Sequence, residues 1–406
     1  MQFVRTADLK PGMRLAKPIY NKMGVLLYER NTKLTIQGIN SVENFGLIGI
    51  FILEPAEPVP PLSQEDIEFE QFQTIYMFKL KDCMDKLNAR KAVPAVTELV
   101  DGIYHRYGAL DHKLNFTQNL RSSADFVYKH SISVAILSAM LANEMHISEA
   151  ETLSLISAAT LYDFGYLYVP QKILEKGNHI ELGDKDFIQL SLERGYDMVK
   201  PEAPALELNN LALEIMQQHV FSTSRNVVLK EARPELQILC DILKVADKFD
   251  RLTAMNINQP PLSELIAMNY LDDNPEEYNP RVVSALADCI HILPTGACLD
   301  FSNGQKGLVL QENATDYLHP IILNFTDNKL YDLSNPIVRE KLQIVDIMKT
   351  MDNRIKIDEE ALQHFVADEA VKETMDRLKQ KRMILEQRHR QLELKKAAED
   401  FAKRRK

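Results

Sequence analysis

Along residues 63–291 the apolar residues recur at helical spacing, and four side chains of metal-ligand type stand within that stretch: His130, Asp163, His219 and Asp247. A chain patterned this way folds into a bundle, because each amphipathic segment must bury its apolar stripe against another. The spacing predicts helices over 66–89, 92–107, 206–218, 233–249, 261–271 and 280–293. Ser148 and Glu151 form a capping-box pattern that opens a further helix, expected to stop near Gly165. His130 lies on a helix whose other face is apolar, Asp163 near a helix end, and Asp247 on a helix with Lys244, Lys248 and Arg251 close by.

Both ends of the bundle change character. Residues 1–54 read as a small β-rich N-terminal domain, with strands over 13–20 and 24–28 around a turn at 21–23, a helix over 35–45 and a strand over 48–53. Pro55, Pro58, Pro60 and Pro61 make 55–65 a stiff linker, which leaves 66–293 as the helical domain. Pro294-Thr295-Gly296 breaks the helical period, and 294–335 alternates in short runs around Asn303-Gly304 as a small β extension. Residues 336–406 form a charged, helix-favouring C-terminal region. The fold class is therefore mainly α, with a β-rich N-terminal domain, a β extension and a long charged C-terminal helix.

Charge and composition exclude several functions. The net charge is −10, yet 371–406 holds 13 Lys/Arg and 6 Asp/Glu, or +7, so the remainder carries −17. An acidic body repels nucleic acid, and the interspersed Glu386, Glu393, Glu399 and Asp400 make the basic end a poor nucleic-acid contact. No apolar run is long enough for a membrane span, and the first residues lack the order of a signal peptide. Cys83, Cys240, Cys289 and Cys298 are scattered without a Cys-x-x-Cys pair, which fits buried thiols in a cytoplasmic protein.

Each ligand-type residue also has a plainer reading. A histidine on an apolar helix can be a hydrogen-bonded core residue, Asp163 a turn former, and Asp247 the partner of Lys244, Lys248 or Arg251 on its own helix. The order and spacing of all four favour metal chemistry, in which neutral imidazoles and carboxylates converge from rigid helices and leave a position open for water.

The stretch 125–325 resembles the HD-GYP family of bacterial cyclic-dinucleotide phosphodiesterases, a branch of the HD metal-dependent phosphohydrolases. Three segments carry the resemblance: Tyr128-Lys129-His130-Ser131 with Val134-Ala135, Val169 to Gly177, and Lys244 to Thr253. The β extension and the N-terminal segment, with Leu9-Lys10-Pro11-Gly12-Met13, are similar to units that accompany the family and separate the chain from the related HDOD modules. The resemblance implies a helical HD domain with metal ligands at His130, Asp163, His219 and Asp247.

Against that pattern, the His-Asp-x-Gly-Lys element reads Tyr162-Asp163-Phe164-Gly165-Tyr166, and the positions of two further ligand histidines hold Ser191 and Gln218. The Gly-Tyr-Pro signature is absent after His219, and Asn256 and Gln259 stand where the family places phosphate-holding cations. The expectation is a degenerate, catalytically inactive member acting as a signalling or protein-interaction module in cyclic-di-GMP-type signalling. It would work through a protein partner or a homodimer, with no cofactor and no tight grip on a cyclic dinucleotide. The alternative is a phosphohydrolase with a reduced site holding one divalent metal (Fe, Mn or Zn).

Overall fold

A computed structural model describes residues 2–347, apart from 21–24, 45–48, 54–62, 119–120, 122–124, 175, 177–179, 223, 225–228, 230–231, 255–260, 314–315 and 328. Residues 55–62 of the expected linker, the turn at 21–23, Asn256, Gln259 and the charged region beyond 347 fall outside the described residues, while 63–65 at the linker's end already cap and begin a helix. Those described form two compact units, separated in sequence between Ile292 and Leu293.

The first unit opens with β strands: β1 (Gln2–Arg5), β2 (Arg14–Leu15), β3 (Ile19–Tyr20) and β4 (Leu26–Tyr28), then α1 (Ile36–Asn44) and β5 (Gly49–Leu53). β5 is the centre of an antiparallel sheet of order β1-β5-β2, while β3 and β4 pair separately. Ile50 and Ile52 alternate inward from β5 onto Leu9, Leu15, Leu34 and Val42. β1 is an element that periodicity did not reveal.

The helical body follows: α2 (Gln64–Asn88), α3 (Thr97–Tyr107), α4 (Phe126–Glu144), α5 (Glu149–Leu161), a 3-10 turn over Phe164–Tyr168 and α6 (Gln171–Leu174). It continues with α7 (Leu182–Val199), α8 (Ala203–Leu206), α9 (Asn210–Phe221), α10 (Pro234–Thr253), α11 (Glu264–Asp272) and α12 (Pro280–Cys289). α4 is buried on nearly every face from Val127 to Ala142, so the other helices pack around it.

Several boundaries differ from the expected ones for local reasons. α3 starts at Thr97 rather than residue 92, since Pro94 disfavours helical backbone at the residue before it. The reciprocal capping box forms at Ser63 and Asp66, each side chain accepting the other's amide N–H at 3.0 and 2.8 Å. At α5 only half of it forms: Ser148 Oγ accepts from the Glu151 amide, but the Glu151 carboxylate takes the Ser148 hydroxyl at 2.5 Å. α7 was absent from the helices expected, because its apolar residues do not share one stripe: Leu182, Phe187 and Leu190 are exposed.

α7 meets the 3-10 turn at two glycines. A Cβ on Gly195 would lie 2.4 Å from the Gly165 nitrogen and 2.5 Å from its Cα, too close for any side chain. Gly195→Ala must push backbone from backbone and is expected to cost about 1–3 kcal/mol of stability, the range for overpacking, read as a lower urea midpoint.

The second unit is a five-stranded antiparallel sheet of order β10-β6-β7-β8-β9, made of β6 (Cys298–Phe301), β7 (Lys306–Gln311), β8 (Ile321–Asn324), β9 (Lys329–Asp332) and β10 (Ile344–Ile347), with α13 (Pro336–Arg339) before the last strand. The sheet thus runs past residue 335, where the extension was expected to end. Among the described residues no helix is long and apolar enough to cross a membrane.

Candidate metal centre

Three elements of the first unit converge on one buried point. α4 supplies His130, which is fully buried. The junction of α5 and the 3-10 turn supplies Tyr162 and Asp163. α10 supplies Asp247, Asp250 and Arg251, which share a face because residues three and four apart on a helix are neighbours.

His130 uses both ring nitrogens. Nδ1 lies 2.5 Å from Asp250 Oδ2, and Nε2 lies 3.1 Å from Asp247 Oδ1 and 3.2 Å from Asp163 Oδ2. Burial and Arg251 both pull its pKa down, but hydrogen bonds to Asp163, Asp247 and Asp250 outweigh them and push it up to about 10. The three surrounding carboxylates thus favour its imidazolium form.

Asp250 is fixed from the other side by Arg121, whose Nη1 and Nη2 donate to its two oxygens at 2.9 and 2.7 Å. Both side chains are fully buried. Burial alone would raise the Asp250 carboxyl; the Arg121 charge and the His130 hydrogen bond overcome it and hold the group well below the usual carboxylate range.

Arg251 closes the outer side. Its Nη2 donates to Asp163 Oδ2 at 2.5 Å, and its Nε donates to Asp247 Oδ1 and Oδ2 at 3.0 and 3.1 Å. The guanidinium carbon sits 5.0 Å from the centroid of the Tyr166 ring, a cation–π distance. Tyr162 donates its hydroxyl to Asp247 Oδ1 at 2.7 Å. Burial, with Asp163 and Asp247 adding to it, raises this phenol well above its ordinary pKa, so it stays a donor and does not become an anionic ligand.

Of the four ligand-type residues expected from sequence, the structure brings three together. One ligand atom each from His130, Asp163 and Asp247 lie within 4.8 Å of one another, a triad that could hold a metal ion. His219 is not in that triad. Its ring meets Tyr162 edge-on, with centroids 4.9 Å apart, and burial keeps its pKa below the ordinary value. Ser191 turns its hydroxyl to the Phe187 carbonyl at 2.8 Å.

The donor set decides how well a metal suits the pocket as it stands. A metal needs an unprotonated imidazole nitrogen and carboxylate lone pairs. Here Nε2 already faces two carboxylates and, at 2.9 Å, the Tyr162 hydroxyl, while Arg251 and Tyr162 engage both aspartates. The cations Arg121, His130 and Arg251 balance the anions Asp163, Asp247 and Asp250, so the cluster is neutral by itself. A divalent ion added beside Arg251 would disturb that balance even after His130 lost its proton. The triad and a seated Arg251 draw on the same two carboxylates.

Arg121, Asp250 and Arg251 were not among the site residues expected from sequence. The Asp247–Arg251 pair was visible as an i, i+4 ion pair, offered there as the plainer reading of Asp247. Arg121 lies more than a hundred residues from Asp250 and carried no local signal.

Residues 116–282 match the family model described as the HD domain. Over 207 residues the chain is 21% identical to a cyclic di-GMP phosphodiesterase of Pseudomonas aeruginosa, covering 51% of this chain and 49% of that relative. Over 54 residues it is 43% identical to the cyclic di-GMP phosphodiesterase PdeB of Borreliella burgdorferi, covering 13% of this chain and 14% of the relative. The chain therefore spans about half the length of the first relative and far less of the second.

Proposed function

We propose that this chain, whose residues 116–282 match the HD domain, is a catalytically inactive HD-superfamily member kept as a signalling or protein-interaction module in cyclic-di-GMP-type signalling. The observation that carries this reading is Arg251, whose guanidinium bridges Asp163 and Asp247, the two carboxylates a metal would need. Hydrolysis of a phosphodiester by this family's chemistry calls for metal-activated water and for cations on the transferring phosphoryl group. Here one family ligand position holds a phenol, and the local cation is spent on carboxylates. Output would then pass through a protein partner or a second copy of the chain, not through turnover.

A second reading rests on the 4.8 Å triad: a phosphohydrolase with one Fe, Mn or Zn ion at His130, Asp163 and Asp247, formed when Arg251 swings out. Its side chain is 28% exposed, so the path outward is open.

The two readings separate on metal content. The purified chain, incubated with Fe, Mn or Zn, desalted and analysed by plasma mass spectrometry, is expected to hold well under one ion per chain and to leave cyclic di-GMP intact. About one ion per chain, with hydrolysis abolished in His130→Ala, would replace the first reading with the second.

A further inference from the structure

The N-terminal β strands send one charged side chain into the helical body. Lys17, between β2 and β3, is 6% exposed, and its Nζ lies 3.4 Å from Glu70 Oε1 on α2 and 3.4 Å from the Gln118 carbonyl oxygen. Gln118 is buried too. Its amide nitrogen donates to Asp250 Oδ1 at 3.0 Å and to Thr253 Oγ1 at 2.9 Å, and its Oε1 accepts from Arg121 Nη2 at 2.7 Å. Arg121 grips Asp250, and Asp250 accepts from His130 Nδ1. An unbroken series of buried polar contacts therefore runs from Lys17 to His130.

Such a series is a poor way merely to attach a small β unit. A buried ammonium loses its hydration and regains it only through well-placed partners, and an apolar seal of the same volume is usually at least as stable. The surroundings add to the cost. Gln73, one turn along α2 from Glu70, buries both side-chain amide atoms without a partner, and Thr117, beside Gln118, buries its hydroxyl the same way. A contact with orphaned polar groups around it sits closer to opening than an apolar one. What it provides is connection: Lys17 holds the backbone of the residue whose side chain orients Arg121 and Asp250.

We propose that Lys17 couples the N-terminal β unit to the pocket, so that the seating of that unit sets how firmly Asp250 holds His130. A signal that loosens the N-terminal strands withdraws Lys17, frees the Gln118 backbone and slackens the Arg121–Asp250–His130 series. The device has two ends and one shared pair, the Gln118 and Arg121 side chains that both ends bias. It holds whether Arg251 or a metal ion fills the far side of His130, so its failure would leave the proposed function untouched.

The test uses the full chain with 15N-labelled histidine side chains, reading the strongly hydrogen-bonded Nδ1 proton of His130 by NMR. Lys17→Met is expected to move that proton by more than its linewidth and to speed its exchange with solvent about tenfold. Lys10→Met, an exposed lysine of the same unit, should change neither. The proposal is overturned if Lys17→Met leaves position and exchange unchanged, or if Lys10→Met alters them equally. Should Lys17→Met fail to fold, as judged by circular dichroism, Glu70→Gln weakens the same anchor more gently. It must shift the same proton in the folded chain, and an unmoved proton would refute the coupling.

Discussion

Arg121→Met is expected to be among the most destabilising single substitutions in this chain, costing about 3–5 kcal/mol in the free energy of unfolding. Methionine fills most of the volume, so the loss is electrostatic. Asp250 would keep its charge at a fully buried position with His130 as its remaining cationic partner, and the Gln118 side chain would lose its donor at 2.7 Å. Urea unfolding followed by far-ultraviolet circular dichroism measures the loss; a change below about 1 kcal/mol would show that the pair contributes little.

The pH dependence of the native chain follows from the same cluster. His130 has a raised folded pKa, so its contribution is complete below about 6.5 and is lost as the pH rises through about 10. Asp250 has a depressed one, so its contribution is complete above its unfolded value of about 4 and is lost as the pH falls towards the folded value. Stability should therefore be greatest in the mildly acidic range between those limits.

Tyr162→His combined with Arg251→Ala is expected to raise the bound metal from well under one to about one divalent ion per chain. The double change restores an imidazole and removes the guanidinium from Asp163 and Asp247. Without metal the variant should be less stable than the parent, because the buried Asp163 and partly buried Asp247 carboxylates lose their cation. Binding to the folded state alone then raises stability by about 2.7 kcal/mol when free metal is a hundred times the dissociation constant. A melting temperature that climbs with added Mn2+ in the variant and stays flat in the parent is the expected pattern. A flat response in both would mean that Arg251 is not what keeps metal out.

Much of the fold was legible because helical periodicity and punctuation agree. Pro234 and Pro280 begin helices, Ser63, Ser148 and Asn209 cap them, and Pro294-Thr295-Gly296 marks the change to strands. α7 was not legible, since its burial rests on Ser191, Gly195, Tyr196 and Val199, where a small residue and a close backbone approach replace an apolar stripe. At the site, spacing brought out His130, Asp163, His219 and Asp247, of which the first two and the last share one point while His219 packs its ring on Tyr162. Spacing did not reveal that Arg251 points inward, because an i, i+4 ion pair reads the same on a solvated face as in a pocket. The role of Arg121 depends on tertiary contact alone.

The glycine contact between α7 and the 3-10 turn has a mechanical consequence. Asp163 directly precedes a turn whose Gly165 leaves no gap against Gly195, so the backbone that carries that carboxylate is braced against α7. α7 is 18 residues long, a rod of about 27 Å with Leu182, Phe187 and Leu190 exposed along it. A displacement of that rod would press on the turn beside the Asp163–Arg251 bond without anything entering the pocket.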